Sequence, residues 1–223
     1  MHLLNRYLPH LSLFLIAIIS ACSPAYYPSR VNAPLLGGEG EGSLDVALNF
    51  TSGTIQGSYS PADHLVVSGG VSGFIAGESS INGPASTSIG TNIDLMTGYY
   101  TGFGKRGIFE FQTGYGFTAV NSTDYEGLIS RAILQPTIAS SSEKGQVGLS
   151  VRMVNLFPHE LPAGAFGDNL YIEPVLIFRG GSHDWRFETQ MGYSITPDFS
   201  TGVDHWPWML SFGVQKRFGV SAP

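Results

Sequence analysis

The chain has 223 residues, a net charge of −6 at pH 7 and only 13 % Asp, Glu, Lys and Arg. Soluble domains carry about 25 % charged residues, and an acidic balance argues against binding driven by phosphate neutralisation, so no nucleic-acid partner is expected. A single cysteine excludes an intramolecular disulfide, and 29 glycines with 12 % aromatics disfavour helices and favour strands and tight turns.

The N-terminus carries Arg6, then an apolar run from Leu11 to Ile19. The run is too short for a transmembrane helix, which needs about 20 apolar residues. Its layout is that of a secretory signal: a basic start, an apolar core and a small-residue cleavage site. Ile19-Ser20-Ala21-Cys22 resembles the bacterial lipobox, in which the cysteine thiol receives a diacylglyceryl group and cleavage falls just before it. The resemblance implies lipidation at Cys22, with palmitate among the expected acyl chains. The plainer reading is an ordinary signal cut at Ala21 with a free thiol left over.

Ser23 to Gly42 reads as a tether, because Pro24, Pro28 and Pro34 and the run Gly37-Gly38-Glu39-Gly40 discourage regular structure. Tyr26 and Tyr27 fit either a membrane interface or a plain linker. The predicted layout is a lipoprotein signal peptide over 1–21, a periplasmic tether over 22–42 and a barrel over 43–219.

From Gly42 onward the period is two. Leu44, Val46, Leu48 and Phe50 alternate with Ser43, Asp45, Ala47 and Asn49, and Ser52-Gly53 turns the chain back. Strands follow at Thr54–Ser60, His64–Phe74, around Ile93–Phe103 and at Phe109–Thr118, with 76–91 read as a polar loop. Ser130–Ser140, a strand around Val147–Met153, Leu170–Arg179, a strand around Trp185–Tyr193 and a final one around Trp208–Phe218 complete the set. The pattern predicts an all-β, antiparallel, up-and-down transmembrane barrel of about ten strands, eight being the alternative. Short connections after Ser60, Phe103, Ser140 and Arg179 oppose longer ones after Phe74, Asn121, Phe157 and Ile195. Short periplasmic turns against longer outer loops are the expected asymmetry. Pro136 and Pro174 fall inside strands and are expected to mark bulges or strand ends.

Parity puts Arg131, Arg152, Arg179, Arg186 and Arg217 on the polar face, with Asp45, Asp94, Glu110, Glu173 and Glu188. A face balanced this way is expected to form a charge network that fills a narrow lumen. His159, Glu160, Asp168, Asp204 and His205 lie in predicted outer loops and could converge as a hydrolase group, though solvated loop residues look the same. Gly-x-Ser-x-Gly, zinc-ligand and calcium-loop spacings are absent, so no catalytic residue, metal site or cofactor is expected.

Tyr26-Tyr27-Pro28, Asn32-Ala33-Pro34-Leu35 and Glu173-Pro174 with Arg179-Gly180 resemble small lipid-anchored outer-membrane barrels of Bacteroidetes-type bacteria. The resemblance implies outer-membrane location and a barrel fold, but no activity. The acidic run of surface-exported lipoproteins is missing after Cys22, which favours a lipid facing the periplasm. The expected role is structural or interacting: a barrel held by outer-membrane lipid that serves as a subunit of an outer-membrane protein complex. The alternatives are a narrow channel or small-ligand transporter, a loop-borne lipid or peptide hydrolase, and a soluble lipocalin-like barrel on a lipid tether. Cys22→Ser separates the last from the rest. The expected result is retention in washed membranes, read by ultracentrifugation and blotting; a shift to the soluble fraction would select the lipocalin.

Overall fold

A computed structural model describes residues 26–78, 86–121, 126–142, 145–159, 170–182, 184–197 and 207–219. Ten strands form one closed antiparallel barrel in simple up-and-down order. They are β1 (Gly42–Asn49), β2 (Ser52–Ala62), β3 (Leu65–Glu78), β4 (Ser86–Phe103) and β5 (Gly107–Asn121), then β6 (Glu126–Ser142), β7 (Gly145–Pro158), β8 (Leu170–Gly181), β9 (Trp185–Tyr193) and β10 (Trp208–Phe218). The seam joins β1 to β10, from Gly42 opposite Phe218 to Asn49 opposite Ser211. Closure leaves no open sheet edge, the condition for putting a sheet into lipid.

Alternation decides which side each residue faces. Leu44, Val46 and Leu48 point outward while Ser43, Asp45 and Ala47 are buried. The same holds around the barrel, where Ile55, Val71, Leu95, Ile138, Leu149, Leu176 and Val214 are exposed outside. Inside stand Gln56, Ser72, Gln112, Gln135, Ser150, Gln190 and Gln215, all buried. Tyr59, Tyr99 and Trp185 ring the exterior near one end, and Tyr193 and Trp208 near the other. An apolar band between aromatic girdles is the exterior of a membrane barrel, the opposite of a lipocalin, whose apolar face points inward.

The strand ends define two mouths. The β2–β3, β4–β5, β6–β7 and β8–β9 connections lie at the short-turn mouth, together with the start of β1 and the end of β10. The β3–β4, β5–β6, β7–β8 and β9–β10 connections lie at the long-loop mouth, where the tight β1–β2 turn is the exception.

Three sequence expectations change. The strands reach further than the 76–91 loop allowed: β3 runs to Glu78 and β4 starts at Ser86, with Ile75 opposite Ile89 extending the pairing. Small Ser, Thr and Gly side chains hid this part of the period. Pro136 and Pro174 mark neither bulges nor strand ends. Pro136 pairs with Phe111 of β5, while the β6–β7 ladder skips residues 135 and 136 and resumes in unchanged register. The Pro136 carbonyl, facing that gap, accepts from Ser150 Oγ at 3.4 Å. Pro174 pairs with Val151, and the β8–β9 ladder begins one residue later at Val175. The register shift in the barrel lies instead in β2–β3, between Tyr59 and Ala62.

Leu95 is 70 % exposed at the middle of β4. Arginine at the bilayer midplane costs about 2–4 kcal/mol. Leu95→Arg should therefore lower the urea midpoint of the vesicle-inserted barrel, followed by tryptophan fluorescence and heat-modifiable gel mobility.

Candidate functional site

The lumen is the candidate site, and it is occupied. Residues 26–36, read from sequence as part of a periplasmic tether, run through the barrel as an extended segment, buried from Tyr26 to Leu36. The physical reason lies in the segment's own alternation. Arg30 and Asn32 are polar, while Val31, Ala33 and Leu35 between and beyond them are apolar. A strand with no ladder partner also tolerates Pro28 and Pro34, because no neighbour needs their missing N–H.

Its backbone is read by the wall. The carbonyls of Ser29, Arg30, Val31, Asn32, Ala33 and Pro34 each accept a hydrogen bond from a barrel side chain. Arg152 Nη2 donates to the Ser29 carbonyl at 2.5 Å, and Gln56 Nε2 to that of Arg30 at 2.9 Å. Gln190 holds Val31 from both sides: its Oε1 accepts from the Val31 N–H at 3.1 Å, and its Nε2 donates to the Val31 carbonyl at 2.8 Å. Gln112 and Gln135 both donate to the Asn32 carbonyl, at 2.9 and 2.7 Å. Arg179 donates to Ala33 at 2.6 Å and to Pro34 at 3.4 Å. The Leu35 N–H donates to Glu110 Oε2 at 2.9 Å. A buried backbone group without a partner is costly, so these wall residues give the lumen its affinity for one extended chain.

Side chains fix the register. Arg30 reaches Glu188 at 2.5 Å and Asp45 at 3.7 Å, passing over Gly213 of β10. A Cβ on Gly213 would stand 2.6 Å from Arg30 Nη1, 2.7 Å from Ala47 Cβ and 2.8 Å from the Val46 carbonyl oxygen, so a side chain there would crowd the wall as well as the guanidinium. Val31 and Ala33 pack on Val175, Ile177 and Met209. At the long-loop mouth Tyr26 and Tyr27 are buried among Phe74, Val120, Ile129, Leu156 and Tyr171. Tyr26 donates to Glu173 at 2.9 Å, and the Tyr27 hydroxyl bonds Thr51 in the β1–β2 turn. These tyrosines therefore belong to the lumen, neither to a membrane interface nor to a linker. At the short-turn mouth Leu36 packs on Val66 and Tyr100. The chain then reverses through Leu35, at φ 52°, and Gly40, at φ 79°, into β1.

The ten charged residues named above for the polar face all lie on interior strand positions. Arg30 links two of the acids, Asp45 and Glu188, to Arg179, and the others are in discrete pairs or unpaired. Arg131 grips Asp94 with two bonds, at 2.9 and 2.8 Å. Arg152 pairs with Glu173 at 2.6 Å, and Arg179 with Glu188. Arg217 meets Glu41 at 3.2 Å. Glu110 faces an amide and the Leu35 N–H, with no ion pair, and Arg186 makes none among the described residues. Arg30 and Glu41 were missed from sequence because both lie in the supposed tether. Gln56, Gln112, Gln135 and Gln190 were missed because uncharged polar residues on an inward face look like filler.

Cys22, Glu160, Asp168, Asp204 and His205 lie outside the described residues. His159 Nε2 bonds Ser130 Oγ, but Ser130 is buried against the wall. No cluster of His, Cys, Asp and Glu among the described residues could hold a metal. Beside the segment, a gap lined by Pro28, Arg30, Asn49, Thr54 and Met209 has about 10 Å³ of free space, about the minimum for one water.

Gln190→Leu removes both Val31 bonds, and each buried group left unpaired costs about 1–3 kcal/mol. Trypsin cleavage after Arg30, slow in the folded wild type because that side chain is 3 % exposed, should become faster. N-terminal sequencing of the fragments checks it.

No family model matches the chain, and no curated protein does. Among solved structures it is similar to a KdgM porin, at 11 % identity and TM-score 0.37, over 81 % of this chain and 99 % of that one. It is also similar to CdiB from Acinetobacter baumannii, at 9 % identity and TM-score 0.33, over 80 % of this chain and 59 % of that one.

Proposed function

We propose that this protein is a lipid-anchored outer-membrane β-barrel with a structural or interacting role, and that it is not an open pore. The observation that carries the reading is the occupied lumen: an extended segment crosses it, held through consecutive backbone carbonyls. Diffusion through the barrel requires that segment to leave, with its ion pairs and hydrogen bonds undone. The apolar exterior and its aromatic girdles support the membrane location. With the interior sealed, surfaces for a partner are the two mouths and the lipid-facing wall, which suits a subunit of an envelope assembly.

Planar bilayer recording of the purified full chain tests the sealed lumen. The expected trace has no steady conductance steps; a stable open level would favour the channel reading and overturn this one. Mild detergent extraction followed by chemical cross-linking and mass spectrometry tests the partner role. A reproducible membrane-protein partner is expected, and a barrel recovered alone under every condition would count against it.

A further inference from the structure

The threaded segment has a direction, and the direction assigns a side of the membrane to everything before it. Tyr26 and Tyr27 lie at the long-loop mouth, against Val120 near the end of β5, Leu156 near the end of β7 and Tyr171 at the start of β8. Leu36 lies at the short-turn mouth against Val66 and Tyr100. The chain therefore passes down the lumen once, from long-loop to short-turn mouth, before β1 climbs back. Short turns face the periplasm and long loops the exterior in barrels of this kind.

We propose that the chain preceding Tyr26 leaves the barrel at the outer mouth, so that Cys22 and its acyl group are held at the cell surface, in the outer leaflet. This rests on the membrane-barrel reading above. It reverses the periplasm-facing lipid expected from the sequence, which followed from an even strand number and the assumption of a tether hanging below.

Chain reach carries the argument. Three residues lie between Cys22 and Tyr26, and the four steps span at most about 14 Å. β5 alone has 15 residues, and at a rise of about 3.3 Å and a tilt of about 40° the wall is about 38 Å tall. A lipid at Cys22 cannot reach the periplasmic leaflet along the outside. A return through the lumen is obstructed by the segment itself, which is buried against the wall from Tyr26 to Leu36. The lumen thus does the work of an export signal: it carries the N-terminus across the bilayer inside the protein's own wall.

The test uses three full-length variants, each with one short epitope: after Ser23, within the Lys105–Arg106 turn, and after Ala163 in the β7–β8 connection. Heat-modifiable gel mobility verifies that each has folded, and antibody binding is read on intact and on permeabilised cells. The expected result is labelling of intact cells by the Ser23 and Ala163 epitopes, with the Lys105 epitope appearing only after permeabilisation. Two outcomes overturn surface placement while leaving the membrane barrel intact. In one, the Ser23 epitope is hidden together with that at Lys105 while the Ala163 epitope is exposed. In the other, the Lys105 epitope alone is exposed. Recovery of all three variants in the soluble fraction overturns the membrane reading as well.

Discussion

The carbonyl oxygens of residues 29–34 are out of water, and each must find a donor that no neighbouring strand supplies. In a sheet, ladder partners meet this demand. Here the donors are long side chains reaching inward from β2, β5, β6, β7, β8 and β9. Glutamine and arginine suit the task because their donors stand several bonds from the wall and their planar ends can serve two partners at once. Gln190 does so on Val31, accepting from its N–H and donating to its carbonyl as a paired strand would. The interior charge pairs follow from the same demand. Arg152 and Arg179 each hold one carboxylate and one stretch of the segment, so ion pairing aims the guanidinium at the backbone.

Two solvents act on one sheet. Lipid outside selects Leu, Ile, Val and aromatics at alternate positions, and the threaded chain inside selects the residues between them. The inside is therefore not uniformly polar. Where the segment presents tyrosines, the wall answers with Phe74, Ile129 and Leu156; where it presents Val31 and Ala33, with Val175, Ile177 and Met209. The wall is a cast of the segment, with Gly213 left without a side chain where Arg30 needs room.

Alternation made the ten strands legible, because each residue step of a strand switches solvent. Connection lengths made the two mouths legible as well. The ends of β3 and β4 were obscured by Ser, Thr and Gly, which satisfy either face. The segment escaped because prolines were weighed as breakers. That weighting holds for a laddered strand; a lone strand bonded by side chains has no ladder to break. Its period-two pattern from Arg30 to Leu35 was visible but too short to outweigh three prolines. The inward aliphatics at Val175 and Ile177 could be explained only once their apolar partners in the segment were placed.

The reversal at Leu35 to Gly40 joins the segment covalently to β1, one side of the seam that closes the barrel. Topologically the molecule is a ring with its own chain drawn through it. Such an arrangement is emptied either by drawing the preceding chain back through the whole lumen or by opening a strand pair of the wall so that the segment swings out sideways. An acyl group on that preceding chain, as proposed above, would bar the first route as a knot bars a thread from a needle's eye. The seam, eight residue pairs from Gly42–Phe218 to Asn49–Ser211, is one of the two ladders flanking the strand to which the segment is joined, and so one of its side exits.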